Sequence, residues 1–417
     1  MKFSSTKYSF VLVLSGLALP AAALNDGIAK KPQMGFNTWN SFKATIDESV
    51  MVTAAEKLVS LGLKDVGYIY ANMDEGWQAN YTREETGGKL LANSTRFPNG
   101  IKHLTDRIHN LGLKVGIYSD AGVWSCFKNP GSYGYEYEDA QDFADWGIDY
   151  LKYDNCAGAE SYYHPPQVRF GEMRDALKAT GREILFSLCE WGYMFPWLWS
   201  HEIGHSYRMS GDIYQHYTVD KSGCRGKTAY SLTTGDGGCS VLTIIRKMRE
   251  ITQYQQPGSW ADMDMLEIGN VVNATIYEEQ THFSYWAALK SPLIIGANLA
   301  TISNSSVEIL KNTEIIALNQ DNLTVAPCYI ASISIDKNQQ YWAGPLSDGW
   351  VVLMTNELKT EQDLTIKWED IDGLPVGKWR VRDIWEKKDL GVKSEGVTVE
   401  GVKYFQTKVL KLTKEKR

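Results

Sequence analysis

Short apolar stretches alternate with longer amphipathic stretches between residues 34 and 299 of this chain. Each short stretch is typical of a buried strand ending in polar or glycine residues, and each longer one, such as Ser49 to Leu61, has helical periodicity. The strand-like stretches are MGFNTWN, YIYANMDEGW, KVGIYSDAG, YLKYDNC, ILFSLCEWG, SYRMSGD, WADMDML and SPLIIGANL. This succession predicts a closed parallel (β/α)8 barrel, the TIM barrel. An open doubly wound sheet is the weaker alternative, because no glycine-rich phosphate loop follows the first strand.

The pattern changes after about Asn319, where helical periodicity fades and strict alternation takes over. The alternating segments are YWAGPL, WVVLMTN, LTIKW, KWRVRDIW, VTVEGV and YFQTKVLKLT, and they are separated by turn sequences. This pattern predicts a second, antiparallel all-β domain of the sandwich type. We therefore divide the chain into a leader (1–23), a barrel domain (24–320) and a C-terminal β-sandwich domain (321–417).

The first 23 residues have the features of a secretory signal peptide. Lys2 and Lys7 supply a positive n-region, Phe10 to Leu19 is apolar, and three alanines end the segment. We expect cleavage after Ala23, although a buried N-terminal helix would also explain the pattern. The apolar run is too short to span a membrane.

Other counts fit a secreted protein. Five sequons lie at Asn80, Asn93, Asn273, Asn304 and Asn322. Six cysteines are present, and some should pair in an oxidising compartment. Cys224 and Cys239 bracket a Gly- and Ser/Thr-rich loop, Cys126 and Cys156 are plausible partners, and Cys189 and Cys328 are left over.

Net charge argues against one class of partner. The chain carries a formal charge of −7 and no basic run before its last five residues, which disfavours nucleic acid. The 14 Trp and 23 Tyr residues are compatible with stacking on sugars, although Trp is also a core residue. We expect no membrane partner, and a homo-oligomer is compatible with the sequence.

The stretch Tyr150 to Cys156 is the first candidate for chemistry. Read with period 2, it directs Lys152 and Asp154 to the same side of a strand that is otherwise apolar. Burying such a pair is costly unless it is used or compensated, and a structural ion pair would look the same. In a barrel, catalytic residues lie at the C-terminal strand ends. Those ends here carry Trp39, Asp74, Glu75, Tyr118, Asp120, Lys152, Asp154, Cys189, Trp191, Arg208, Asp212, Asp262 and Asp264.

Two of these carboxylates suit the cleavage of a glycosidic bond. In retaining chemistry one carboxylate attacks the anomeric carbon and the other protonates the leaving oxygen. Asp154, kept ionised by Lys152, and Asp212, kept protonated by the nearby negative charge, are the candidate pair. The residues alone leave Asp74 and Asp262 open as alternatives.

One motif points elsewhere. The segment His201 to His205, HEIGH, matches the H-E-x-x-H zinc signature. Ser210 and Gly211 follow closely, however, and no third ligand has a convincing spacing. The simpler interpretation is a short helix with two polar residues, so we expect no metal.

Taken together, the motifs identify a resemblance. MGFNTWN, YLKYDNC, CEWG and RMSGDI resemble the signatures of the secreted fungal α-galactosidases of glycoside hydrolase family 27, over essentially the whole chain after the leader. The resemblance implies that Asp154 is the nucleophile and Asp212 the acid/base, with retention of configuration. It also implies a disulfide between Cys126 and Cys156.

The same resemblance assigns sugar contacts to other strand-end residues. It implies that Trp39 forms an apolar wall and that Asp74 and Glu75 bind the 4- and 6-hydroxyls. It also implies that Tyr118 lines the pocket and that Lys152 reaches the 3- and 4-hydroxyls. Cys189, Trp191 and Arg208 are implied to lie at the 2-hydroxyl. Cys189 and Trp191 leave little room for a 2-acetamido group, which favours galactose over N-acetylgalactosamine. The expected activity is release of terminal α-galactose from sugars such as melibiose and raffinose, with an acidic optimum and no cofactor.

Three motifs depart from the family pattern. Asp74-Glu75-Gly76-Trp77 has Glu where a second Asp is usual, and DMDML and NQDNLT replace D-P-D-M-L and N-Q-D-P-L-G. The longer Glu75 could crowd the C6 hydroxymethyl group, which makes β-L-arabinopyranoside hydrolysis the alternative activity. A non-catalytic sugar-binding barrel is the alternative of another class.

Overall fold

The computed structural model describes residues 24, 26–156, 163–224, 226, 228–230, 237–334 and 338–415. The predicted leader, residues 1–23, lies outside this part of the chain. Among the residues that the structure describes, no helix is both long and apolar enough to cross a bilayer.

The first domain is a parallel barrel. Its strands are β1 (Met34–Asn37), β2 (Tyr70–Asn72), β3 (Lys114–Asp120), β4 (Tyr150–Asp154), β5 (Leu185–Cys189), β6 (Ser206–Arg208), β7 (Trp260–Asp262) and β8 (Leu293–Ile295). From β1 to β7 each strand pairs with the next, and β8 pairs with β1. Leu266, which follows β7, closes the ring between β7 and β8. Its amide donates to the Ile294 carbonyl at 2.7 Å, and the residue forms a parallel bridge with Ile295. The predicted (β/α)8 fold is confirmed.

The barrel helices are α1 (Trp39–Phe42), α2 (Glu48–Ser60), α3 (Gly100–His109), α4 (Glu136–Asp145), α5 (Pro166–Ala179), α6 (Val241–Met248), α7 (Ile276–Ala288), α8 (Asn304–Leu310) and α9 (Thr313–Asn319). Side-chain caps mark the starts of α2, α6, α7, α8 and α9. Asp47 accepts the Val50 amide at the start of α2, and Thr275 and Glu278 form a capping box at the start of α7.

Alternation along β4 divides its side chains between two environments. Leu151 and Tyr153 belong to the large core between strands and helices. Tyr150 lies inside the barrel with Tyr70 and Leu185. The period of two that was read from the sequence therefore carries the alternate residues of β4 into the barrel interior and towards its mouth.

The second domain is antiparallel throughout. Its strands are β9 (Cys328–Tyr329), β10 (Gln339–Leu346), β11 (Gly349–Asn356), β12 (Gln362–Lys367), β13 (Trp379–Asp383), β14 (Lys388–Lys393), β15 (Gly396–Val402) and β16 (Thr407–Lys414), and a short helix, α10 (Ala331–Ser334), lies between β9 and β10. A six-stranded sheet in the order β14-β13-β16-β11-β10-β9 packs on the pair β12-β15. The predicted sandwich is confirmed. The prediction missed β9 and β14, because β9 is only two residues long and no side chain of β14 is fully buried.

The six-stranded sheet faces two cores at once. Tyr341 and Val352 pack into the sandwich, whereas Trp342 and Leu353, the alternate residues, join the barrel core. Helix α7 contributes a polar contact to this interface, since the Tyr285 hydroxyl lies 2.7 Å from Thr355 Oγ1. The two domains therefore share one continuous packed interior.

A histidine is buried near this interface. His282 of α7 is 1% exposed, and its ring lies 4.1 Å from that of Trp286. Neither ring nitrogen has a hydrogen-bond partner among the described residues. Burial lowers the pKa of His282 to about 3, so the folded protein holds the neutral ring.

We predict that His282 makes the fold sensitive to acid. The unfolded chain takes up a proton on this ring below its ordinary pKa of about 6.5, whereas the folded chain does not until about pH 3. Stability is therefore lost as the pH falls through this window, by about 1.4 kcal/mol per pH unit. We expect His282→Phe to reduce the loss of unfolding free energy between pH 7.5 and pH 5 by about 2 kcal/mol.

Urea unfolding at both pH values measures this effect. His103→Gln is the matched control, because the His103 side chain is 54% exposed, and it should leave the pH dependence unchanged. An equal acid sensitivity in wild type and His282→Phe would contradict the prediction.

Candidate active site

The C-terminal ends of the barrel strands surround one cavity of about 790 Å³. All ten side chains assigned to catalysis or sugar binding from the sequence line it: Trp39, Asp74, Glu75, Tyr118, Lys152, Asp154, Cys189, Trp191, Arg208 and Asp212. Parallel pairing produces this convergence, since strand register sets Tyr118 beside Lys152 and Cys189 beside Asp154. These ten side chains include four carboxylates and two cations.

Asp154 lies at the end of β4 and is 6% exposed. Its Oδ1 accepts the Asn155 amide at 3.0 Å, and its Oδ2 accepts the Tyr118 hydroxyl at 3.1 Å. The Cys126–Cys156 disulfide, whose Cys126 Sγ is 3.5 Å from Oδ2, fixes the loop beside it. The carboxylate is therefore held in one orientation at the mouth of the barrel.

Burial dominates the electrostatics of Asp154. Desolvation, the largest cause, and the charge of Asp212 together raise the pKa of this carboxyl to about 6 against the opposing charge of Lys152. The sequence led us to expect Lys152 to keep Asp154 ionised. Lys152 does act in that direction, but its ammonium is bonded to another acid and does not outweigh burial.

That other acid is Asp74, at the end of β2 and 1% exposed. Lys152 Nζ donates to its Oδ2 at 2.7 Å, and Asn37 Nδ2 donates to the same oxygen at 2.9 Å. Burial alone would lower the pKa of Lys152, but Asp74 and Asp154 raise it well above its ordinary value. The lysine is therefore a fixed cation between two buried carboxylates.

Glu75 is turned towards a neighbouring loop. Its Oε1 accepts the Phe127 amide at 3.0 Å, Asn129 Nδ2 at 3.0 Å and the Ser125 hydroxyl. Burial raises the pKa of Glu75, while these three donors, and that of Ser125 in particular, oppose the rise. The extra methylene of Glu75 thus reaches the 125–129 loop, which also contains Cys126.

Trp39 forms part of the cavity wall. Its ring meets that of Phe127 edge to face, with the ring centroids 5.2 Å apart. Phe127 is 56% exposed at the rim. Two aromatic faces therefore border the entrance above the carboxylates.

Arg208, at the end of β6, holds two acids. Its guanidinium Nη2 lies 2.8 Å from Asp212 Oδ1 and 2.8 Å from Asp264 Oδ2. Its Nη1 lies 3.6 Å from the sulfur of Cys189, a buried free thiol whose pKa burial raises. Arg208 is thus the second fixed cation of the site.

Asp264 is a site residue to which the sequence alone gave no role. It lines the cavity, and its Oδ2 accepts the amide of Ile213, the residue after Asp212, at 2.7 Å. Its backbone has φ +74, a left-handed conformation that aspartate tolerates better than most residues. The signal was present as the second acid of DMDML, but nothing in the sequence connects it to Ile213.

Trp191 also has a left-handed backbone, with φ +58. The next residue, Gly192, donates its amide to the Arg208 carbonyl at 3.0 Å. A methyl group at Gly192 would lie 2.6 Å from the Met209 carbonyl oxygen, so only glycine allows this approach. The close crossing places Trp191 beside Arg208 at the cavity.

Arg169 of α5 is another residue that the sequence did not reveal. It is 2% exposed and donates to Asn155 Oδ1 and, at 3.0 Å, to the Ala121 carbonyl. Asp120 accepts the Cys156 amide at 2.9 Å. Arg169 thus holds the Asn155 side chain and Asp120 holds the Cys156 backbone, so Asp120 has the structural role of a backbone acceptor.

The second histidine of the HEIGH segment is engaged by the protein itself. His205 is 3% exposed, its Nδ1 accepts the Phe186 amide at 2.8 Å, and its Nε2 lies 3.0 Å from Asp26. Within the described ranges, the grouping with metal-ligand spacing is Asp120, Cys126, Asp154 and Cys156. Its two sulfurs are bonded to each other and are not thiolate ligands.

Both domains match known families. A family model described as alpha galactosidase A matches residues 31–321, and one described as the alpha galactosidase C-terminal beta sandwich domain matches residues 336–412. Alpha-galactosidase 3 of Arabidopsis thaliana is 43% identical over 89% of this chain and 79% of its own length.

Two solved structures resemble the whole chain. α-Galactosidase I from Mortierella vinacea is 40% identical, with a TM-score of 0.87 over 94% of this chain and all of that one. The α-galactosidase from Saccharomyces cerevisiae with raffinose is 31% identical, with a TM-score of 0.85 over 95% of this chain and all of that one. A β-L-arabinopyranosidase from Geobacillus stearothermophilus is more distant: it is 21% identical, with a TM-score of 0.76 over 92% of this chain and 97% of that one, and shares the fold.

We predict that Asp154 titrates near pH 6 in the free protein. Difference infrared spectroscopy against Asp154→Asn isolates the carboxyl band of this residue. In Asp212→Asn the midpoint should move to lower pH, because the neighbouring negative charge that raises the pKa of Asp154 is removed.

Asp145→Asn is the control, since Asp145 is exposed at the end of α4, remote from the cavity lining. It should leave the midpoint unchanged. A wild-type midpoint near 4, or an upward shift in Asp212→Asn, would contradict the electrostatic account.

Proposed function

Since this chain belongs to the α-galactosidase family of glycoside hydrolases, we propose that it hydrolyses terminal α-linked galactose by double displacement. Asp154 is the nucleophile, and Asp212 is the acid/base. The observation that carries the proposal is the pair of strand-end carboxylates in one cavity, one buried and oriented by Tyr118, the other held by Arg208 at the cavity edge.

The different surroundings of the two acids suit different roles. Asp154 is enclosed, and the donors to both of its oxygens hold one oriented carboxylate for attack on the anomeric carbon. The Asp212 side chain is 41% exposed. An acid/base needs this access, because it meets first the leaving group and then a water molecule. In the first step Asp154 bonds to the anomeric carbon while Asp212 gives its proton to the leaving oxygen. In the second step Asp212 takes a proton from water, which displaces Asp154 and restores the starting configuration.

The charged groups opposite Asp154 support galactose as the sugar. Galactose differs from glucose in its axial 4-hydroxyl, and the Asp74–Lys152 pair offers an acceptor and a donor locked together at 2.7 Å. A site built from buried charged groups rejects a sugar that leaves those groups unpaired. Melibiose and raffinose, which carry terminal α-galactose, are the proposed small substrates.

The position of Glu75 favours this activity over the arabinopyranosidase alternative. A longer side chain directed at the sugar would crowd the C6 hydroxymethyl group. Here the carboxylate is bonded to Ser125, Phe127 and Asn129, so its added length is taken up by the loop.

We also propose that the protein is secreted and glycosylated, as in the fungal members of the family. The signal-like leader supports this proposal, as do the disulfides Cys126–Cys156 and Cys224–Cys239. Four of the five sequon asparagines are exposed, and Asn93 is half-buried. Mass spectrometry of protein from the culture medium tests both the cleavage after Ala23 and the occupied sequons.

Replacing the nucleophile tests the catalytic assignment. We expect Asp154→Asn to lower kcat/KM for p-nitrophenyl α-D-galactopyranoside by at least about 10³-fold, since the residues of such a unit fail together when one is lost. Asp145→Asn should retain wild-type activity. Proton NMR of the first-formed product should show α-galactose. An active Asp154→Asn enzyme would support a non-catalytic role for this carboxylate, and β-galactose would rule out retention.

A second substrate tests the sugar specificity. We expect p-nitrophenyl α-D-galactopyranoside to be preferred over p-nitrophenyl β-L-arabinopyranoside by about 10-fold or more in kcat/KM, because the hydroxymethyl group finds space and contacts. Preference for the arabinoside, reversed by Glu75→Asp, would establish the alternative activity instead.

A further inference from the structure

The backbone of Asp212 is bound by a segment that is distant in sequence. Gly238 and Cys239 donate their amides to the Asp212 carbonyl at 2.7 and 2.8 Å. Ile213 and Cys239 form a parallel bridge, and Tyr214 donates to the Cys239 carbonyl at 2.7 Å. Residues 237–239, here called the 237–239 segment, therefore run beside the acid/base residue as a short strand-like support.

Gly237 touches the Asp212 side chain directly. A methyl group on Gly237 would lie 2.3 Å from Asp212 Cβ and 3.0 Å from its Cα and Cγ, and these are the three nearest heavy atoms. The Gly237 backbone is not in the left-handed region, so conformational freedom does not explain the glycine. A side chain is excluded at this position because Asp212 lies too close.

The 237–239 segment is itself anchored. Cys239 is fully buried and bonded to Cys224. Lys247 of α6, 1% exposed, donates to Ser210 Oγ at 3.2 Å, and Ser210 Oγ lies 3.6 Å from Cys239 Sγ. A disulfide thus closes the β6–α6 loop that carries both Asp212 and the 237–239 segment, and a buried lysine of α6 holds Ser210 beside it.

Two groups hold Asp212 from other directions. Arg208 bonds its Oδ1, and Asp264 accepts the amide of Ile213. These contacts fix one oxygen and the backbone, but they leave the Cβ side of Asp212 unrestrained. Gly237 fills that side, which matters because the Asp212 side chain is 41% exposed and would otherwise have room to rotate.

We propose that Gly237 is a positioning residue for the acid/base: it confines the Asp212 side chain so that its proton meets the leaving oxygen. This inference rests on the proposed function, in which Asp212 is the acid. General acid catalysis depends on hydrogen-bond distance to that oxygen, so a small displacement of Asp212 impairs proton donation and leaves nucleophilic attack by Asp154 intact.

Leaving-group dependence separates this role from a structural one. Melibiose has a poor leaving group that needs a proton, whereas 2,4-dinitrophenolate leaves without one. We expect Gly237→Ala to lower kcat/KM by about 10- to 100-fold for melibiose, less than the full contribution of a general acid, and by under about 3-fold for 2,4-dinitrophenyl α-D-galactopyranoside. Retained activity on the activated substrate also shows that the variant is folded.

Gly171→Ala is the matched control. Gly171 lies in α5, and the nearest atom to an added methyl is Arg174 Nη2 at 3.9 Å, so both substrates should react as with wild type. Equal losses on both substrates in Gly237→Ala, or no loss, would overturn the positioning role.

Asp212→Ala is measured in parallel to keep the two hypotheses distinct. If it shows the melibiose-selective loss and Gly237→Ala does not, the positioning role is wrong and the acid assignment stands. If Asp212→Ala shows no selective loss, the acid assignment is wrong and the role of Gly237 falls with it.

Discussion

Like charges buried together are the constraint on which the active site depends. Asp74, Asp154 and Asp264 are each less than 10% exposed at one barrel mouth, and each buried ion costs several kcal/mol unless it is compensated. Lys152 and Arg208 provide this compensation. Lys152 bonds Asp74, and Arg208 bonds Asp212 and Asp264. Asp154 is left without a direct ion pair in this network, and its raised pKa is the consequence.

The two cations therefore divide the carboxylates into two groups with different tasks. Two of the acids that they bond, Asp74 and Asp264, are oriented by these contacts and are able to recognise hydroxyls and to support the acid/base. The acid that they do not bond keeps an unshared charge when ionised, which is the state from which a carboxylate attacks carbon. A hydrophobic replacement of either cation would remove the compensation for more than one carboxylate at once, so these residues are coupled rather than additive.

Much of this arrangement follows from local sequence pattern. Alternation in YLKYDNC places Lys152 and Asp154 together, and the barrel rule brings the polar strand ends to one mouth, so ten side chains could be predicted to share a cavity. The relation of Asp264 to Ile213 and of Gly237 to Asp212 could not be predicted, because both depend on how loops after different strands approach each other. Glu75 shows the same limit: its identity was evident, but its direction depends on donors from the 125–129 loop. Strand β14 was missed because its largely exposed side chains carry no alternating pattern.

Helix α7 gives the sandwich a part in the chemistry. On one side Tyr285 bonds Thr355 of the sandwich, and on the other Trp286 donates to the backbone carbonyl of Asp264 at 2.7 Å. Asp264 in turn braces the acid/base, because it bonds Arg208 and accepts the amide of Ile213, the residue after Asp212. An ancestral barrel that exchanged this sandwich for another accessory module would have exposed the outer face of α7 and loosened that brace. We therefore expect the two domains to have been inherited as a pair. Catalysis in the barrel restricts sequence change in the sheet that faces α7, although that sheet belongs to the other domain.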